Sequence, residues 1–224
     1  MLSWRDDVDT VRHLKSYGLV DLSVSHSPRF KVPVLQSHIL SKWKRKNGVR
    51  SARYVVEASR RQEFVTQRVS SILSELRAAE AHPLRQAAPV LYGSSGPAEA
   101  DLFVSARAVA DREMLASFLN QASRTLIEPL EKAGKSASLP NYFFGDLASS
   151  VPNLWFGLNR IKWYRNYSMH IELTPLAQGH LERYLEEDFE GQTPESASEG
   201  WFRVQQEILN GLLLGLHAEI SRFD

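Results

Sequence analysis

From Ala98 onward, apolar residues recur three and four apart, and prolines and glycines cut the run into pieces of helix length. Only helices that bury one face against each other satisfy such a pattern, so this half of the chain must be a helical bundle. One or two helices cover Ala98 to Ala133, with Met114, Phe118 and Ala122 on one face, and Gly134 and Pro140 end them. Pro129 sits late in that run, where its missing N–H and its ring bend or fray a helix. The next helix spans about Val151 to Trp163, with Leu154, Leu158 and Ile161 inward and Pro152 in the first turn. Thr174 and Pro175 supply an N-cap and a first helical residue for a helix to about Phe189. Six acidic residues without a basic one lie between Glu186 and Glu199, and the Glu190 to Glu199 part reads as a solvated loop. A last helix runs from Trp201 to Phe223, with Gly211 and Gly215 spaced to admit a closely packed neighbour.

The first half has a different texture. Val8, Val11 and Leu14 recur at helical spacing and Gly18 stops that helix. Val20, Leu22 and Val24 alternate, as do Phe30, Val32 and Val34, and Ser25 to Arg29 between them suits a hairpin loop. Leu35, Ile39 and Trp43 resume the helical period. Helix, hairpin and helix in this order resemble the back half of a winged-helix domain. One long helix covers Tyr54 to Glu80, with Val65, Val69, Ile72 and Leu76 as its stripe, until His82-Pro83 breaks it. The loop-rich stretch from Pro83 to Pro97 reads as a domain boundary. The expected organisation is mainly α: a small winged-helix-like α+β module at 1–50, a connecting helix and linker at 51–97, and a helical domain at 98–224.

Composition removes several function classes. The 224 residues contain no Cys, which excludes disulfides, a thiol nucleophile and thiolate metal sites. The most apolar stretch, Leu209 to Leu216, is too short to span a bilayer, and no charged n-region with an apolar h-region opens the chain. A cytoplasmic protein without membrane association is expected. His13, His26, His38, His82, His180 and His217 form no ligand set, Gly93-Ser94-Ser95-Gly96 lacks the Lys of a Walker loop, and no Gly-x-Ser-x-Gly elbow occurs. Neither a metal nor a cofactor is expected.

The informative stretch is Trp163-Tyr164-Arg165-Asn166-Tyr167-Ser168-Met169-His170. With 19 Arg and 7 His, chance alone gives roughly 0.6 Arg-x4-His pairs, and Arg77 with His82 is a second one. Requiring Asn after the Arg lowers that expectation to about 0.02. A histidine titrates near neutrality and moves protons, while a guanidinium presents a permanent charge and a planar fork to phosphate oxygens. His170, Arg165 and Asn166 therefore suit metal-independent RNA cleavage, in which the ribose 2′-hydroxyl attacks phosphorus; DNA lacks that hydroxyl. Residues five apart on a straight helix point roughly 140° apart, so a shared site requires a break, and Arg165 is expected at the junction before the helix that carries His170.

The motif, between the second and third helices of a C-terminal bundle, resembles the Arg-x(4–6)-His signature of HEPN-domain ribonucleases over roughly Asp101 to Asp224. The resemblance implies an endoribonuclease (a hydrolase yielding a 2′,3′-cyclic phosphate) and a homodimer whose two motifs face each other across one cleft. It also implies a toxin or antiviral defence effector restrained by a regulatory ATPase or antitoxin partner. Two plainer readings stand beside it: an ordinary polar turn with His170 in the core, or a degenerate domain of this kind that binds nucleic acid without cutting it.

The second candidate is a basic run. Lys42 to Arg61 holds eight basic residues and one acidic one, against a whole-chain charge of +1. Lys42, Lys44, Arg45, Lys46, Arg50 and Arg53, together with Lys162 beside the motif, are the expected nucleic-acid contacts, holding phosphates without reading bases. A basic helix face that is merely solvated fits the same residues. Were only this region functional, the chain would be a winged-helix nucleic-acid-binding adaptor or regulator whose bundle serves to dimerise it.

Overall fold

A computed structural model describes residues 20–21, 29–30, 55–81, 91–93, 96–139, 141–169, 175–189, 191–197 and 199–222. The chain divides into two compact units, Met1–Tyr54 and Val55–Asp224. In the first, β1 (Val20–Asp21) pairs antiparallel with β2 (Arg29–Phe30), Val20 opposite Phe30; Arg29, expected in the loop, lies in a strand, and the register differs from the Val24-to-Phe30 pairing that a Ser25–Arg29 loop implies. The helices expected to flank it in a winged-helix-like module fall outside the described residues.

The second unit is helical. After a 3₁₀ turn at Ala58–Arg60 come α1 (Arg61–Ala81), α2 (Ala100–Val104) and α3 (Arg112–Ala122). A π turn at Ser123–Ile127 leads into α4 (Glu128–Ser136), followed by α5 (Asp146–Ser150), α6 (Pro152–Met169), α7 (Pro175–Phe189) and α8 (Gly200–Ile220). Helix α8 packs on α6 and α1, and α6 packs in addition on α3, α5, α7 and the π turn. Neighbours on several sides explain why α6 shows little amphipathic period. They also explain why its sequence gives no clear end: it runs six residues past the expected Trp163.

The boundary expected at 83–97 is corrected by the packing of α1. Val65, Val69, Ile72 and Leu76 are the stripe the sequence marks, and all four are buried in one core with Ile208 and Leu212 of α8. Helix α1 is thus a wall of the helical unit and not a connector. Glu80 Oε1 accepts from the backbone N–H of Leu91 and Tyr92 (2.6 Å each), and the Tyr92 hydroxyl donates to the Leu126 carbonyl, so residues 91–92 are docked on this unit as well.

Two further devices hold the frame. Gln62 and Gln205 grip the 106–109 segment from α1 and α8: Gln62 bonds Ala106 O and Ala108 N, and Gln205 bonds Arg107 O and Val109 N. Glu219 near the end of α8 accepts from the Asn153 N–H (2.6 Å), a carboxylate at the N-terminus of α6 where the helix dipole favours it. Close packing there depends on Gly215, where a Cβ would lie 2.5 Å from the Asn153 carbonyl oxygen. The close approach expected at this pair of glycines is made within the chain at Gly215, whereas a Cβ at Gly211 would meet only the Arg160 guanidinium, at 3.7 Å. Gly134 likewise does not end its helix, which continues to Ser136; it admits the Tyr142 side chain, which a Cβ at that position would overlap.

Candidate nucleic-acid site at the end of a buried helix

Pro129 shapes the first part of the site. In an α-helix its ring would meet the carbonyl four residues back, at Thr125. The chain relieves this with the π turn, in which the Glu128 N–H reaches Ser123 O, five residues back. The fraying expected at Pro129 is thus a local widening, with Ser123 at its start and Glu128 just after its end.

Arg165 on α6 faces this widening. Its Nε donates to Asn120 Oδ1 (3.0 Å) and its Nη1 to Ser123 Oγ (3.0 Å), with Glu128 Oε1 3.7 Å from Nη1. Its Nη2 has no partner among the described residues, and the side chain is half-exposed. The guanidinium is therefore fixed in direction with one edge open. Arg165 lies four residues before the end of α6, which corrects the expected junction: the helix continues past Arg165 to Met169. Asn166 is half-buried on the same turn. His170 lies outside the described residues, as do Lys42, Lys44, Arg45, Lys46, Arg50 and Arg53.

Lys162 does not reach freely into solvent. Its ammonium pairs with Glu131 (2.5 Å) and lies 4.9 and 4.8 Å from the ring centroids of Phe143 and Phe144. Arg61, at the end of the basic run, pairs with Glu199 and lies 4.6 Å from the centre of the Phe202 ring.

Between α6 and α7 lies a polar cluster that no spacing in the sequence marks. Buried Arg160 directs Nη2 to Glu187 (2.8 Å) and Nη1 to the fully buried Asp188 (3.4 Å). The Tyr164 hydroxyl donates to the other Asp188 oxygen (2.7 Å), and Asn159 Nδ2 donates to the Tyr184 hydroxyl (3.1 Å). Burial first, and the Asp188 charge second, hold the Tyr164 hydroxyl far above the usual tyrosine range. In the sequence, Glu187 and Asp188 belong to the acidic run from Glu186 to Glu199, at the end of the expected helix, and nothing in that run marks Asp188 as buried.

Tyr167 turns to the acidic loop, where its hydroxyl donates to Glu195 (2.7 and 2.8 Å to the two oxygens). Burial, then Glu195, raises the Tyr167 hydroxyl above its usual range. Burial works to raise Glu195, but the bonds from Tyr167, its own backbone and Thr193 outweigh it and leave the carboxyl below its ordinary value. Trp163 stacks on His180 with ring centroids 4.7 Å apart and planes 10° apart, while His217 stands on the surface, 3.8 Å from Glu75. Among the described residues no cluster of His, Asp or Glu could hold a metal ion, and no helix is long and apolar enough to cross a membrane. No family model, curated protein or solved structure matches the chain.

Proposed function

We propose that the chain is a metal-independent endoribonuclease of HEPN type, acting as a toxin or anti-phage effector under the control of a partner. The observation that supports it is the guanidinium of Arg165, aimed by Asn120, Ser123 and Glu128 with one edge open, five residues before His170. In this reading the ribose 2′-oxygen bonds to phosphorus as the bond from phosphorus to the 5′-oxygen breaks. His170 moves the proton, which ends on the departing 5′-oxygen, and Arg165 offsets the charge that grows on the phosphate. A homodimer that brings two motifs to one cleft completes the proposal.

Incubation of the purified chain with labelled RNA in EDTA tests it. Cleavage is expected from the wild type and not from Arg165→Ala or His170→Ala; cleavage that survives both substitutions overturns the reading.

One observation favours the non-enzymatic alternative. The same three contacts make Arg165 a tie between α6 and the α3–α4 segment, a role that packing alone can explain. In an adaptor, His170→Ala does little, and charge reversal at Lys44, Arg45 and Lys46 abolishes DNA binding.

A further inference from the structure

Four carboxylates that meet α6 are committed to it: Glu131 pairs with Lys162, Glu187 and Asp188 with Arg160, and Glu195 accepts from Tyr167. Glu128 differs. It stands 3.7 Å from Arg165 Nη1, an ion pair too long for a hydrogen bond, and its side chain is 47% exposed. Among the described residues no hydrogen bond reaches that carboxylate. The π turn brings it to Arg165. In a regular helix Ser123 and Glu128, five apart, would point roughly 140° away from each other. With the Glu128 N–H on Ser123 O they fall on one side, and both side chains reach the guanidinium. Widenings of this kind are frequent at functional sites.

Attack by a 2′-hydroxyl calls for two proton carriers in opposite states, a base for the attacking oxygen and an acid for the departing one. An imidazole and a carboxylate have different ordinary pKa values, so the first can be protonated while the second is ionised; two copies of one imidazole lack that difference. We infer that Glu128 is the general base of the ribonuclease reaction proposed above, a reading on which this inference rests. Its carboxylate takes the proton of the 2′-hydroxyl as the 2′-oxygen bonds to phosphorus. The bond from phosphorus to the 5′-oxygen breaks, and protonated His170 gives its proton to that oxygen. Solvent then returns a proton to His170 and removes one from Glu128. Arg165 takes a phosphate oxygen on its open edge, so the base and the phosphate flank one guanidinium. The charged groups around Glu128 are Arg165 from α6 and, on its own segment, exposed Arg124 and Lys132 and the paired Glu131.

The test measures cleavage of labelled RNA by the full chain across pH, in EDTA, beside the affinity for a 2′-O-methyl RNA that cannot be attacked. Wild type is expected to lose rate on both sides of an optimum. Glu128→Gln should cut at least about a hundredfold more slowly and lose the fall on the acid side. It should bind the 2′-O-methyl RNA no more weakly than wild type, because a negative charge has left the site. Glu128→Asp should recover part of the rate together with the acid limb. Glu128 is exposed, and circular dichroism should show both variants folded. Cleavage by Glu128→Gln at the wild-type rate, or with its acid limb intact, overturns the inference and leaves the nuclease reading standing. So does a parallel loss of rate and binding, which makes Glu128 a positioning residue for Arg165. A wild type that cuts no RNA brings down the nuclease reading and this base with it.

Discussion

Between Pro152 and Leu158, α6 meets its neighbours through backbone and hydrocarbon; between Asn159 and Ser168 it meets them largely through nitrogen and oxygen. In the first stretch, Gly157 lies against the Leu212 backbone, Gly215 against the Asn153 carbonyl, and Leu154 and Leu158 are buried. In the second, Asn159, Arg160, Lys162, Tyr164, Arg165 and Tyr167 each bond to a side chain of another segment. Burying charge is costly, and apolar side chains of similar volume commonly hold a bundle as well or better. The first stretch is accounted for by folding. The second joins its neighbours through paired polar groups, and it is the stretch that carries the motif.

The sharpest break in this comparison is Gly215→Val. Its Cβ would meet backbone atoms of Asn153, which cannot swing aside as a side chain can. A loss of at least about 3 kcal/mol in urea unfolding is expected. A loss below about 1 kcal/mol would show that the two helices slide apart easily. Asp188→Ala strikes the second stretch. Arg160 keeps Glu187 but loses its buried partner, and Tyr164 loses its acceptor, so about 2–3 kcal/mol should go.

Tyr164→Phe removes one bond of that cluster and should cost about 1.5 kcal/mol at neutral pH. Its pH dependence is more telling. Because the folded chain holds the Tyr164 proton more tightly than the unfolded chain, this stability is full below the usual tyrosine range and is lost as pH rises above it. Wild type should therefore lose stability in base more steeply than Tyr164→Phe, as read by unfolding midpoints. Parallel slopes would mean that the hydroxyl is not shielded.

What the sequence made legible follows the same division. The stripe on α1 is a simple period, and all four of its residues are buried. Pro175 opens α7 as its fixed φ and missing N–H require. Misjudged elements have no such signal. Helix α6 has neighbours on several sides, so no single stripe marks its end, and α5 is too short to carry a period. The π turn answers a proline whose effect depends on what packs beside it. Arg160 and Asp188, far apart in the chain, carry no spacing that marks them as partners until α6 and α7 are brought together. Lys162 was legible as a cation near the motif, while its carboxylate and its two rings come from α4 and the following turn.

The smallest expected effect concerns Tyr167, at the far end of the polar stretch. Its bond to Glu195 ties the exposed acidic loop to α6, and exposed pairs of this kind contribute little, about 0.5 kcal/mol. Glu195 is held below its ordinary value, so the folded chain binds that proton more weakly than the unfolded chain. The contribution is then full above the usual carboxylate range and is lost as pH falls through the lowered value. Tyr167→Phe should lower the unfolding midpoint slightly at neutral pH, and the gap from wild type should close in acid. A gap that persists in acid would assign the Tyr167 effect to ring packing, and the loop would then be held by Thr193 and Ser196 within itself.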